Sequence, residues 1–272
     1  MATAMNVTQQ VNQVFHSYKF EQIGPVLRVF VEEYWATSFS IALIYLLLIF
    51  VGQNYMKTRK GFNLQKPLVL WSFSLAIFSI LGTVRTWAFM GTVLHRIGLK
   101  HSVCFGFFIS NTTVKFWSTL FVLSKVIELG DTAFIILRKR PLIFVHWYHH
   151  STVLVFTSFG FKRSMVSGGW FMTMNFGVHA ILYTYYTLKA ARMNPPKMIS
   201  MLVTSLQILQ MFVGAIIGVL TYTWRHEQGC DTTTVEQFFW SSMLYLTYFI
   251  LFVHVFCQSY IIPKVKNKTK SQ

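Results

Sequence analysis

The sequence predicts an all-α integral membrane protein with seven transmembrane helices, and three observations carry that prediction. Of its 272 residues, 54% are hydrophobic and only 12% charged, with a mean hydropathy of +0.48, a balance that soluble domains of this size rarely have. Seven apolar runs reach the ~20 residues needed to cross a bilayer at about 1.5 Å per residue. The basic residues collect in the short loops between those runs, so membrane topology accounts for the formal charge of +16. They form no stripe along a soluble face, which argues against a nucleic-acid partner.

Residues 1–36 carry Lys19, Glu21, Arg28, Glu32 and Glu33 ahead of any apolar run, so no cleavable signal peptide is expected and the first span serves for targeting. The runs cover 37–56, 67–91, 116–137, 141–159, 168–190, 198–222 and 237–262. One side of the membrane then takes Lys57, Arg59, Lys60, Lys66, Arg138, Lys139, Arg140, Lys189, Arg192, Lys197 and the tail lysines, with no acid. The other side mixes cations with Glu21, Glu32, Glu33, Glu227, Asp231 and Glu236. The positive-inside rule makes the first side cytosolic. The chain is thereby divided into a lumenal segment (1–36), a seven-helix domain (37–262) and a basic cytosolic tail (263–272). Cys104 and Cys230 fall in lumenal loops, where an oxidising compartment permits a disulfide between them, while Cys257 lies in the last run. Sequons at Asn6 and Asn111 are also lumenal. Lys268 and Lys270 have the terminal spacing of a cytosolic retrieval address for the endoplasmic reticulum membrane; a basic tail lying on anionic lipid is the competing reading.

Several runs carry polar residues, which are costly at membrane depth and point to function by default. The third holds Lys125, Glu128, Asp131 and Thr132, with Lys125 and Glu128 spaced to pair on one helix face. The fourth holds His146, His149 and His150, three imidazoles on one stripe. In the fifth, Asn175, His179, Tyr183 and Tyr186 share a stripe, whereas Tyr185 points elsewhere. The sixth contributes Thr204, Gln207 and Gln210, also readable as interhelical hydrogen-bonding glue, and the seventh His254. Measured inward from the cytosolic helix ends, Glu128, Asp131, His146, His149, His179, Gln207 and His254 lie about 7–16 Å deep. The lumenal halves are apolar and aromatic. Such a chamber suits a ligand with a charged head and a long apolar tail.

Intramembrane histidines serve iron-dependent oxygen chemistry or act as base and nucleophile in acyl chemistry. A box of the form HxxHH occurs in membrane di-iron desaturases and hydroxylases, but those need around eight histidines from several boxes. This chain has nine, of which His16, His95, His101 and His226 are lumenal by the charge assignment. A metal site is therefore under-supplied and none is assigned. A seven-helix transporter or receptor with a ligand-binding polar layer is the non-enzymatic alternative.

Four motifs in order, Lys125-x-x-Glu128-x-x-Asp131-Thr132, His146-x-x-His149-His150, Asn175-x-x-x-His179-x-x-x-Tyr183-x-Tyr185-Tyr186 and Thr204-x-x-Gln207-x-x-Gln210, resemble the signatures of the ELO-type very-long-chain fatty acid elongases. Leu182 departs from that pattern, standing where the family usually has Met. The resemblance spans essentially the whole chain and is nearest to a vertebrate subtype that extends saturated and monounsaturated chains. It implies a 3-oxoacyl-CoA synthase that condenses a long-chain acyl-CoA with malonyl-CoA, needs no bound cofactor, and encloses its substrate in a barrel of helices two to seven. It implies a ping-pong mechanism with the acyl group held on His149, assisted by His179. His146 and His150 would orient, transfer protons or stabilise the thioester oxyanion, with Asn175 and Gln207 as donors, while Lys125, Glu128 and Asp131 order the network. Lys57, Lys60, Arg138, Lys139 and Arg140 are placed to meet CoA phosphates, and Tyr183, Tyr186, Gln210 and His254 to line the substrate path. Partners implied are membrane lipids, the reductases and dehydratase of the elongation cycle, and homo- or hetero-oligomers.

Overall fold

The computed structural model describes residues 15–104, 111–227, 230 and 234–262; Asn6, Lys268 and Lys270 lie outside the described residues. All regular structure among the described residues is helical. A short 3-10 turn, Lys19–Ile23, leads into α1 (Gly24–Glu33), followed by α2 (Thr37–Met56), α3 (Gln65–Ile97) and the short α4 (Leu99–Cys104). Then come α5 (Thr112–Glu128), α6 (Gly130–Leu137), α7 (Phe144–Lys162), α8 (Gly168–Ala190), α9 (Lys197–Thr223) and α10 (Val235–Phe256). Four of the helices are long and apolar enough to cross a membrane: α2, α3, and α9 and α10 with their short continuations. Most of the polar candidates sit on α5 to α8.

Two of the helices begin at side-chain caps. Asn111 caps α5, its Oδ1 accepting from the Val114 N–H at 3.2 Å, and Thr234 with Gln237 forms a reciprocal capping box at the start of α10. Pro195 and Pro196 separate α8 from α9. Contacts run from α3 to α8, α8 to α9, α9 to α10, α10 to α7, α7 to α5, and α5 back to α3. Helix α2 lies outside this cycle, against α6 and α7, and α1 packs on α5. At the end that carries α4, Cys104 and Cys230 are joined in a disulfide, as expected from their loops, and Lys100 pairs with Glu227 beside it. The opposite end carries Lys57, Arg59 and Arg138 to Arg140.

One expectation needs correction. The third apolar run is not a continuous helix: it breaks at Leu129 between α5 and α6. There the backbone tightens, with Leu129 N–H donating to Val126 O and Thr132 N–H to Leu129 O, three-residue closures typical of a 3-10 turn. Residues before and after the break therefore do not share one face as an unbroken helix would have them.

Candidate active site

Gly130 explains why the break is tolerated there. A Cβ at Gly130 would fall 2.6 Å from the Trp71 ring, so only glycine lets α3 bring that indole against the turn. Trp71 Nε1–H donates to Asp131 Oδ1 at 2.7 Å and Tyr183 O–H to Oδ2 at 2.8 Å. Helices α3, α6 and α8 are thus joined at one carboxyl group. Thr132, one residue on, turns the other way and meets the Tyr45 hydroxyl at 2.7 Å and His146 Nε2 at 2.9 Å.

Before the break lies a buried ion pair. Lys125 Nζ donates to both Glu128 carboxylate oxygens, at 2.8 and 3.1 Å, and to Asn175 Oδ1 at 2.9 Å. Lys125 and Glu128 are 2% and 3% exposed, a depth at which an unpaired charge would not survive, so the two stand or fall together. Ser124 Oγ adds a donor to Glu128 at 3.0 Å. His179 Nδ1 lies 3.7 Å from Glu128 Oε2, in reach of its charge but beyond a hydrogen bond. The Nδ1 atoms of His150 and His179 are buried with no hydrogen-bond partner among the described residues.

The histidines of α7 form a cluster of rings: the His146 and His150 ring centres are 4.4 Å apart with the planes tilted, and His149 and His150 are 5.5 Å apart and nearly perpendicular. His149 also lies 4.8 Å from the Tyr248 ring and 6.1 Å from that of Phe252, both on α10. Two cavities meet at this side chain. One, about 190 Å³, is lined by Asp131, His146, His149, His150, His179, Tyr183, Tyr186, Thr204 and Gln207, together with apolar residues of α7 to α10. The other, about 40 Å³, lies toward the disulfide end and is lined by His149, Phe121, Phe156, Phe171, Tyr245 and Tyr248, with Asn175 and Gln210 among its few polar contributors. Among the described residues no three His, Cys, Asp or Glu side chains are grouped to hold a metal ion.

Most residues singled out in the sequence converge here, and some do not. Lys125, Asp131, His146, His149, His150, Asn175, His179, Tyr183, Tyr186, Gln207 and Gln210 either line the cavities or bond to residues that do, and Glu128 joins them through Lys125. His254 is exposed and lines neither cavity. Tyr185, set apart by its spacing, is buried against Leu182 and Val203. Lys57, Lys60, Lys139 and Arg140 are exposed at the basic end. Lys139 Nζ donates to the carbonyls of Lys57 and Arg59, so it caps the end of α2. Asn111 is 4% exposed and serves as the cap of α5. Sequence reasoning missed Tyr45, Trp71 and Tyr248. An isolated Tyr in an apolar run signals a hydroxyl that must find a partner, but not which one.

A second polar cluster, near the disulfide end, was also missed. Glu21 is completely buried, and Arg85 of α3 reaches its two oxygens at 2.9 and 2.7 Å. The Trp117 Nε1–H, the Thr113 hydroxyl and the Tyr18 backbone N–H also donate to it, at 2.8, 2.9 and 2.8 Å. Burial by itself would push the Glu21 carboxyl up, but Arg85 and the three further donors hold it below its ordinary range. A charge inside the second apolar run was the signal available for Arg85.

The ELO: GNS1/SUR4 family profile matches residues 30–268. The chain is 73% identical to the human protein named "Very long chain fatty acid elongase 3" over 272 residues, covering all of both chains. The mouse protein of that name is 62% identical, again over the whole of both. Mouse "Very long chain fatty acid elongase 6" is 48% identical over 242 residues, 89% of this chain and 90% of that one.

Proposed function

This chain belongs to the ELO: GNS1/SUR4 family, and from that premise we propose that it is the condensing enzyme of fatty acid elongation in the endoplasmic reticulum membrane. It joins a long-chain acyl-CoA to malonyl-CoA and releases 3-oxoacyl-CoA, carbon dioxide and CoA. Higher identity to the elongase 3 proteins than to elongase 6 favours the substrates of that subtype. The observation that carries the reading is that His149 borders both the polar and the apolar cavity, where the head and tail of an acyl-CoA meet.

The chemistry follows from that position. A neutral His149 nitrogen attacks the thioester carbonyl, the C–S bond breaks, and CoA leaves as its thiol with the proton that the imidazole gives up, giving an acyl-imidazole. Malonyl-CoA then loses carbon dioxide, its α-carbon attacks the acyl carbon, and the N–C bond breaks as the C–C bond forms, the departing His149 imidazolate taking up a proton from solvent. The aromatic wall of Tyr248 and Phe252 keeps water from the acyl-imidazole between the two steps. Lys125 and Glu128 fix Asn175 and bias His179. His150 and Gln207 supply polar contacts in the head cavity.

The membrane arrangement belongs to the same reading. Seven spans are counted with α5–α6, α7 and α8 included. The helix contacts from α3 through α10 support a barrel with α2 outside it, and the basic end faces the cytosol to receive the CoA phosphates. Lys57, Lys60, Arg138 and Arg140 are the cations assigned to that role; the tail with Lys268 and Lys270 returns the protein to the endoplasmic reticulum, and Asn6 is the sequon open to modification. Mass spectrometry of the purified protein after incubation with acyl-CoA alone is the test. An acyl adduct on His149 is expected. No adduct on α7, in a preparation that turns over when malonyl-CoA is added, would overturn the covalent route.

A further inference from the structure

We propose that Tyr45, on the helix outside the barrel, positions His146 through Thr132 and makes it an Nδ1–H donor to a substrate oxygen. The inference rests on the function proposed above for its consequence, but its structural core stands on hydrogen bonding alone. Tyr45 is 6% exposed and Thr132 2% exposed, so neither hydroxyl proton can be left without an acceptor at small cost. Among the described residues the Tyr45 hydroxyl has one partner, Thr132 Oγ1, at 2.7 Å. Thr132 Oγ1 has two, Tyr45 and His146 Nε2, the latter at 2.9 Å.

A single arrangement places both protons. Tyr45 donates to Thr132, and Thr132 donates to His146 Nε2. If His146 donated from Nε2 instead, Thr132 would receive two protons and its own would have no acceptor. If Thr132 donated to Tyr45, the phenol proton would be stranded. Nε2 is therefore an acceptor, and a neutral His146 carries its proton on Nδ1. His146 lines the head cavity, and with Nε2 committed to Thr132 its remaining polar group, Nδ1–H, is available to a thioester carbonyl or malonyl carboxylate oxygen. His146 then acts as a donor to developing negative charge and not as a base. It also gives α2, which lines neither cavity, a part in the reaction.

The direct test is ¹⁵N spectroscopy of the full-length, histidine-labelled protein in detergent, with His146 assigned by difference from His146→Gln. Wild type should show one His146 tautomer with the proton on Nδ1, and Tyr45→Phe a mixture of both. A wild-type His146 protonated on Nε2 would overturn the proposal whatever the enzyme does. In activity assays Tyr45→Phe should lower kcat about tenfold with KM for acyl-CoA unchanged. The effect should disappear in a Thr132→Val background, since the relay acts as one unit. Tyr45→Phe keeps the ring and its packing, so no loss at all would mean that Tyr45 only fills space, and a loss that persists in Thr132→Val, or that appears in KM alone, would mean that its hydroxyl acts by another route; each of these outcomes overturns the relay. If no variant or wild type condenses acyl-CoA with malonyl-CoA, the functional reading fails while the tautomer measurement still decides the relay.

Discussion

Two buried polar clusters stand toward opposite ends of α3 and α5, and they differ in how completely their hydrogen bonds are used. Around Glu21 both carboxylate oxygens are met by Arg85, and further donors come from Trp117, Thr113 and the Tyr18 backbone. Around His149 the network is dense on one side and open on the other. Lys125, Glu128, Asn175, Asp131 and Tyr183 satisfy one another, yet His150 and His179 each keep a buried nitrogen unpartnered among the described residues. A saturated cluster has no capacity left for a ligand and can only hold helices together. An open one carries a standing desolvation cost that a bound substrate can relieve.

Substitutions can break this contrast. The largest effect is expected from His149→Ala, which should lower condensation activity in microsomes by at least about 10⁴-fold, the scale of losing a covalent nucleophile, with protein level intact. Retained activity would remove His149 from the nucleophile role. Glu21→Gln should do the opposite: it removes the counter-charge of a largely buried Arg85 and should cost about 3 kcal/mol of stability, read as a lower melting temperature in detergent. Activity per folded molecule should stay unchanged, and a loss of kcat there would show that the two clusters are coupled.

Gly130→Ala tests the join between fold and site. The added methyl meets the Trp71 ring, so overpacking should cost about 1–3 kcal/mol and loosen the Trp71 bond to Asp131, lowering activity more than Glu21→Gln does. The smallest effect is acid sensitivity. Because the Glu21 carboxyl sits below its ordinary value of 4.5 in the folded protein, its contribution is fully present above about pH 4.5 and fades as pH falls through the folded-state value. The melting difference between wild type and Glu21→Gln should therefore narrow in acid; a difference that widened would reverse the assigned direction.

The sequence alone determined what a single helix can determine. Hydropathy marked the helical runs, and helical periodicity put His146, His149 and His150 on one stripe, Lys125 beside Glu128, and Asn175 in line with His179 and Tyr183. These relations follow from a rise and rotation per residue that are the same in every α-helix. Loop placement permitted a disulfide between Cys104 and Cys230, which the structure forms. The tertiary structure decided everything that depends on how separate helices are rotated and docked. It broke the third run at Leu129, sent Asp131 to Trp71 and Thr132 to Tyr45, turned His254 away from the cavities, used the Lys139 ammonium as a helix cap, and closed Glu21 over Arg85. Residues such as Tyr45 and Thr132, 87 positions apart, have no common period to reveal them. Their pairing is fixed by side-chain packing between helices, and one helix's periodicity carries no information about the neighbour it will meet.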